Sequence, residues 1–266
     1  MRYQGSKTKM SKVIKTIVEN NISNDEWYVE PFVGGCNSFS TIKHKKKVGS
    51  DTNKYVIALW KDIQKGTFIA PKVVTEMLYN DIKLDYEEQT GIYPDSLIGY
   101  VGFACSYGSG WWNGYAHYNE KKDEDHIKEA RNGLINHVFN FNGLHDSLFL
   151  NVDYKDLILS ESSFIYCDPP YQNTKKYVND FNNKEFWAWC RTQVHNGHKV
   201  LISEYNAPDD FICIWSKEMQ DGMGNSSNKK VEKLFIHVSQ IPLFNLDSIN
   251  NKNKINLKFW KNENNF

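Results

Sequence analysis

Short apolar runs punctuated by turn residues recur along the chain, and their spacing switches between the two-residue period of strands and the longer period of helices. Trp27-Tyr28-Val29-Glu30 is a β-prone run. It is followed by Pro31-Phe32-Val33-Gly34-Gly35-Cys36 and then 37–42, which predicts strand, glycine turn and helix. A second short strand around Lys47-Val48-Gly49 ends at Asp51, sixteen residues after Gly35. Helical patterns near 56–64 and 71–78 lead into a loop-like aromatic stretch, 105–115, and a mixed-charge helix is expected over about 124–138. Strand character returns at 149–154 and at 163–167, the latter running straight into Asp168-Pro169-Pro170-Tyr171. Phe186, Trp187, Cys190 and Val194 share helical spacing within 184–194, before Gly197, and 199–203 reads as another strand. Two alternating runs, 211–215 and 231–238, flank the glycine- and serine-rich 222–228 and predict an antiparallel hairpin at a sheet edge. The Asn- and Lys-rich residues 250–266 are weakly periodic and read as a loosely held tail, and no repeat of 20–50 residues is present.

Composition narrows the class without choosing a function. With 266 residues, 40% apolar and 14% aromatic, the chain can bury a sizeable core, which excludes a disordered or fibrous protein. No run approaches the roughly 20 apolar residues of a membrane span, and the first residues lack the apolar stretch of a signal peptide, so a cytoplasmic protein with no membrane partner is expected. Five cysteines with no Cys-x-x-Cys pair argue against a disulfide framework and against a zinc site, so no metal is expected. The 32 basic residues balance 32 acidic ones, which removes the simple electrostatic argument for a nucleic-acid partner. Local charge remains: Arg2, Lys7, Lys9, Lys12 and Lys15 gather near the N-terminus, and Lys43, Lys45, Lys46 and Lys47 form a run that reads first as a solvated helix end.

Asp168-Pro169-Pro170-Tyr171 carries the most specific chemistry. Two prolines fix the backbone and spend no N–H on a ladder, so a carbonyl oxygen and the Asp168 carboxylate can face one point. The exocyclic amine of an aromatic base is a poor nucleophile because its lone pair is delocalised. Two acceptors that hold its hydrogens favour a pyramidal, nucleophilic nitrogen, while Tyr171 offers a ring for the base to stack on. Gly34 and Gly35 taken alone read as a structural turn, and Asp51 reads equally as a helix cap or as an acid presented to a ribose. Trp111, Trp112, Tyr115 and Tyr118 read equally as a small core or as surfaces for bases.

In their order along the chain these motifs resemble the Dam-type (D12 class, alpha-group) DNA adenine-N6 methyltransferases, which use S-adenosylmethionine. Arg2-Tyr3-Gln4-Gly5-Ser6-Lys7 is similar to that family's first cofactor motif, Glu30 to Gly35 to its Phe-x-Gly loop, and Asp153-Tyr154 to its acid-aromatic pair. Ser203-Glu204-Tyr205-Asn206 resembles the segment of the strand after the catalytic motif, whereas Cys36 departs from the small residue common at its position. The resemblance implies an α/β fold: a Rossmann-like class I methyltransferase sheet with an inserted, mainly helical target-recognition domain. The catalytic domain would comprise 1–56 and 151–266 and the DNA-binding insert 57–150. It implies Asp168, Pro169, Pro170 and Tyr171 as catalytic residues. Tyr3, Gly5, Lys7, Glu30, Phe32, Gly34, Asp51, Asp153, Tyr154 and Asp168 would bind S-adenosylmethionine, with S-adenosylhomocysteine as product. Arg2, Ser109, Trp111, Trp112, Asn113 and Tyr118 would face DNA. The implied activity is methyl transfer to N6 of a flipped adenine. Cytosine N4 or RNA as acceptor, a catalytically silent DNA-binding relative, and a cognate restriction endonuclease as partner all stay open, as does the oligomeric state.

Overall fold

The computed structural model describes Met1, Tyr3, Lys7 and residues 10–120, 123–139, 146–159, 161–171, 181–219 and 230–246. Among these, the strands are β1 (Trp27–Glu30), β2 (Lys47–Ser50), β3 (Ser147–Leu150), β4 (Ser163–Cys167), β5 (Lys199–Glu204), β6 (Phe211–Met219) and β7 (Lys230–His237). The helices are α1 (Ser11–Glu19), α2 (Lys54–Lys65), α3 (Glu76–Glu88), α4 (Asp95–Ala104), α5 (His126–Phe139) and α6 (Asn183–His195). The described residues are therefore mixed α/β with seven strands. Its residues form two compact units, one of Met1–Lys15 with Phe32–Leu157 and one of Thr16–Pro31 with Ile158–Phe266.

The second unit orders its strands β1-β4-β5-β7-β6. Every residue of Ser-Phe-Ile-Tyr-Cys in β4 is buried, as an unbroken apolar run demands when a strand is covered on both faces. β1 and β5 flank β4 in parallel, with Val29 opposite Ile165 and Ile165 opposite Val200. α6 bridges β4 and β5; Asn182 caps it by accepting from the Glu185 N–H at 3.1 Å, and Phe186, Trp187 and Cys190 form its buried stripe. β7 returns antiparallel beside β5, with Glu204 opposite Lys233, and β6 closes the edge antiparallel to β7. The hairpin expectation holds for the strands, while its turn at 222–228, like the tail 250–266, lies outside the described residues. Because β1, β4 and β5 run parallel, their C-terminal ends bring Glu30, Asp168 and Glu204 to the same end of this unit's sheet.

In the first unit β2 and β3 pair in parallel, with Gly49 opposite Phe149. α2 begins at Asn53, whose side chain accepts from the Tyr55 and Val56 N–H groups, and stops at Gly66 in the left-handed region at φ 73°. α2 and α4 approach so closely at Gly99 that a Cβ there would collide with the Tyr55 carbonyl. Two expectations are corrected. Residues 37–42 form only a 3-10 turn, Phe39–Thr41, because the Ser40 and Thr41 hydroxyls donate to the Asn37 and Ser38 carbonyls and compete with helix propagation. The helix expected over 71–78 begins instead at Glu76, where Thr75 accepts from the Leu78 N–H at 3.2 Å, and it continues to Glu88. α4 carried no periodic signal because nearly all its residues are buried and it has no polar face.

Candidate active site

Tertiary hydrogen bonds hold the glycine turn of the first unit. The Trp60 indole N–H donates to the Gly34 carbonyl at 2.8 Å, and the Gly34 N–H donates to Asp51 Oδ2 at 3.0 Å. The Asn53 N–H donates to Asp51 Oδ1 at 2.9 Å, so each carboxylate oxygen holds one backbone donor. Burial raises the Asp51 pKa despite both bonds. Gly34 sits at φ 41° and Cys36 at φ 54°, so the cysteine keeps the left-handed turn that a glycine would adopt without strain. The Tyr3 ring covers the turn, since a Cβ on Gly34 would lie 2.8 Å from its edge, and packs at a tilt on Phe103 with ring centres 4.4 Å apart. Lys7 is buried.

Phe32 and buried Tyr154 pair their rings at 5.3 Å, and Asp153 accepts from the Lys155 N–H at 3.0 Å, which caps the short turn Tyr154–Asp156. Asn151 donates to the Asp51 and Thr52 carbonyls and so ties the segment after β3 to the end of β2. Tyr3, Lys7, Phe32, Gly34, Asp51, Asp153 and Tyr154 thus all belong to one compact unit. A half-buried carboxylate beside a glycine turn, with an aromatic pair and a second acid in the same unit, suits hydroxyl donors and a flat heterocycle. Gly5 and Arg2 lie outside the described residues.

The second unit holds the strand-end chemistry. Asp168 follows β4 directly, Pro169 is buried, and Pro170 and Tyr171 are half-buried. The Tyr171 hydroxyl donates to Glu232 Oε2 at 2.9 Å, and its ring meets that of Tyr205 edge-on, at 4.6 Å and 80°. Beneath them Tyr166 and Ser203 share a buried hydrogen bond of 2.7 Å. Glu30, buried at the end of β1, accepts the Tyr28 hydroxyl. Neither Glu232 nor the Trp60 tie carried a sequence signal, since each partner is separated from its site by tens of residues.

The aromatic stretch 105–115 is locked against its own unit. Trp111 packs on Tyr55, Tyr86 and Phe103 and donates to the Tyr86 hydroxyl, while Trp112 packs on Tyr79 and Tyr86. Ser109 and Trp112 take left-handed backbone angles, φ 56° and φ 49°, and Asn113 donates to the Tyr107 carbonyl. Tyr118 is 52% exposed and bonds Asp123. In the basic run, Lys47 turns inward: fully buried, it lies 4.2 Å from the centre of the Phe39 ring and donates to the Phe39 and Ile42 carbonyls. Four of the five cysteines are buried, and among the described residues no three or more His, Cys, Asp or Glu side chains group as metal ligands. No helix of the described residues is long and apolar enough to cross a membrane.

Parallel strands ending in acids, a glycine turn tied to the acid after β2, and Asp-Pro-Pro-Tyr after β4 define a mixed α/β protein compatible with a methyltransferase fold. The family model described as D12 class N6 adenine-specific DNA methyltransferase matches residues 3–97, which include the Tyr3, Gly34 and Asp51 elements of the resemblance. Among curated proteins, Modification methylase StsI of Streptococcus sanguinis is 26% identical over 211 residues, 72% of this chain. The match takes in 31% of that relative, so the chain spans about a third of its length.

Proposed function

We propose that this protein transfers a methyl group from S-adenosylmethionine to N6 of an adenine in DNA. The observation that carries the reading is the Asp168-Pro169-Pro170-Tyr171 segment at the C-terminal end of a buried parallel strand, with its tyrosine held in place. The family match over residues 3–97 and the modification methylase relative, matched over 72% of the chain, support it. The residues fit the cofactor in chemistry: Asp51 would accept from the ribose hydroxyls, the paired Phe32 and Tyr154 rings would border the adenine on one side, Asp153 would take its amine, and Lys7 would answer the carboxylate of the amino-acid end. When bound, S-adenosylmethionine supplies a methyl group activated on a sulfonium.

The remaining steps belong to the protein. The target base leaves the duplex stack, because its N6 is unreachable inside it, and rests on Tyr171. Asp168 and the Pro169 carbonyl each accept one N6 hydrogen, which localises the lone pair on nitrogen. Asp168 would accept the proton that N6 sheds when the methyl group is transferred. Residues 57–150 act as the recognition region and a cognate restriction endonuclease as a counterpart in the cell. The test is transfer of labelled methyl from S-adenosylmethionine to mixed-sequence duplex DNA, with nucleoside analysis and Asp168→Ala in parallel. N6-methyladenine from the wild type and none from the variant is expected. N4-methylcytosine, or label on RNA alone, moves the acceptor, and an active Asp168→Ala protein refutes the mechanism.

A further inference from the structure

Tyr171 offers its ring to the base only if the ring holds one angle. The two prolines restrain its backbone, but the side chain keeps its own torsions. We propose that Glu232 is a positioning residue for the reaction, its carboxylate anchoring the far end of Tyr171 so that the ring meets the base at a fixed inclination. The inference rests on the methyl-transfer reading and adds to it a residue 61 positions from Tyr171, outside every motif of the resemblance.

The topology explains how Glu232 reaches the site. β7 runs antiparallel to β5, so the first residues of β7 lie beside the last residues of β5, with Lys233 opposite Glu204. This brings Glu232 to the end of the sheet where β4 delivers Asp168 to Tyr171. The bond is 2.9 Å long, and Tyr205, the residue after β5, braces the same ring edge-on. Burial, together with the Asp168 and Glu232 charges, holds the Tyr171 pKa well above its ordinary value, so the phenol remains the donor. The edge hairpin thereby has a role beyond closing the sheet: it supplies a second point of support to a catalytic tetrapeptide on a central strand.

The experiment compares full-length wild type, Glu232→Ala, Glu232→Gln, Tyr171→Phe and the double variant Tyr171→Phe/Glu232→Ala in single-turnover methylation, with cofactor affinity by calorimetry. Glu232→Ala is expected to slow transfer about tenfold, the worth of one charge-assisted hydrogen bond, with cofactor affinity unchanged. Glutamine, whose side-chain oxygen still accepts the phenol, restores the rate to within about threefold. The double variant should be no slower than Tyr171→Phe alone, because both changes remove the same bond. A wild-type rate in Glu232→Ala, no rescue by glutamine, or losses that multiply in the double variant overturns the inference while methyl transfer stands. A wild type that binds cofactor yet methylates neither DNA nor RNA defeats the parent reading and this one with it.

Discussion

His137 gives the first unit a calculable sensitivity to acid. It lies on α5 with its ring 5.6 Å from that of Trp60, the same tryptophan whose indole holds the Gly34 carbonyl. Burial lowers its pKa from 6.5 to about 3, so the folded protein keeps the imidazole neutral where the unfolded chain would protonate it. Stability from this group is complete above pH 6.5 and is lost as pH falls from there toward 3. At pH 5 the unfolded histidine lies 1.5 units below its pKa, which at 1.36 kcal/mol per unit is a loss of about 2 kcal/mol. The comparison protein is His137→Phe, which keeps a ring against Trp60 and cannot titrate. Urea unfolding at pH 7.5, 6 and 5 should show wild type losing about 2 kcal/mol more than the variant across that range. Cofactor affinity of the folded protein should stay level over the same range, since the folded state keeps His137 neutral beside Trp60. Stability curves that stay parallel within about 0.5 kcal/mol, the size of an ordinary surface effect, refute a buried neutral His137.

Gly35→Ala places a Cβ 2.5 Å from the Tyr3 Cβ and 2.7 Å from Asn37 Nδ2, so the turn must shift; cofactor affinity should weaken about tenfold, the worth of one hydrogen bond, and an unchanged calorimetric Kd contradicts the placement. Trp111→Ala should lower stability by about 2 kcal/mol as the loss of a half-buried ring packed on Tyr55, Tyr86 and Phe103, whereas Tyr107→Ala, 58% exposed in the same loop, should stay within about 0.5 kcal/mol yet weaken DNA binding. The reverse order of unfolding midpoints would refute the division. For Asp51, burial makes the folded carboxyl bind its proton more tightly than the unfolded chain does. Wild type should therefore lose stability relative to Asp51→Asn as pH rises from 3.8 through the raised folded value, and a relative gain measured in urea counts against it.

The legible parts of this fold were those written locally. β4 and the tetrapeptide after it, α6 with its stripe ending before Gly197, and the paired runs of β6 and β7 all declare themselves by period and turn residues. Elements decided by distant partners did not. The helix expected at 37–42 lost to hydroxyl–carbonyl bonds and to Lys47, which reaches back from β2 to take the Phe39 and Ile42 carbonyls. A lysine in a basic run looks the same in sequence whether it faces water or caps a turn from inside. The same blindness covered Trp60 and Glu232, whose partners lie far away along the chain. Trp111 and Trp112, which the sequence leaves level between a small core and surfaces for bases, pack on aromatic neighbours from α2, α3 and α4.

Asp51 shows how a physical assignment separates two readings that a sequence leaves level. A carboxylate at the entrance to a helix is ordinarily a cap, yet α2 takes its cap from Asn53, which accepts from both Tyr55 and Val56. Asp51 is thus relieved of that duty, and its two oxygens are used instead to pin Gly34 and Asn53. Burial works against its charge, and a protein with only these two amides to satisfy could meet them with a neutral asparagine oxygen and a shifted turn. Each carboxylate oxygen keeps a lone pair after its single backbone bond. Under the proposed function, an acid held against its desolvation cost, with acceptor capacity in hand and its orientation fixed by backbone donors, has the free lone pairs that an external pair of hydroxyls would need.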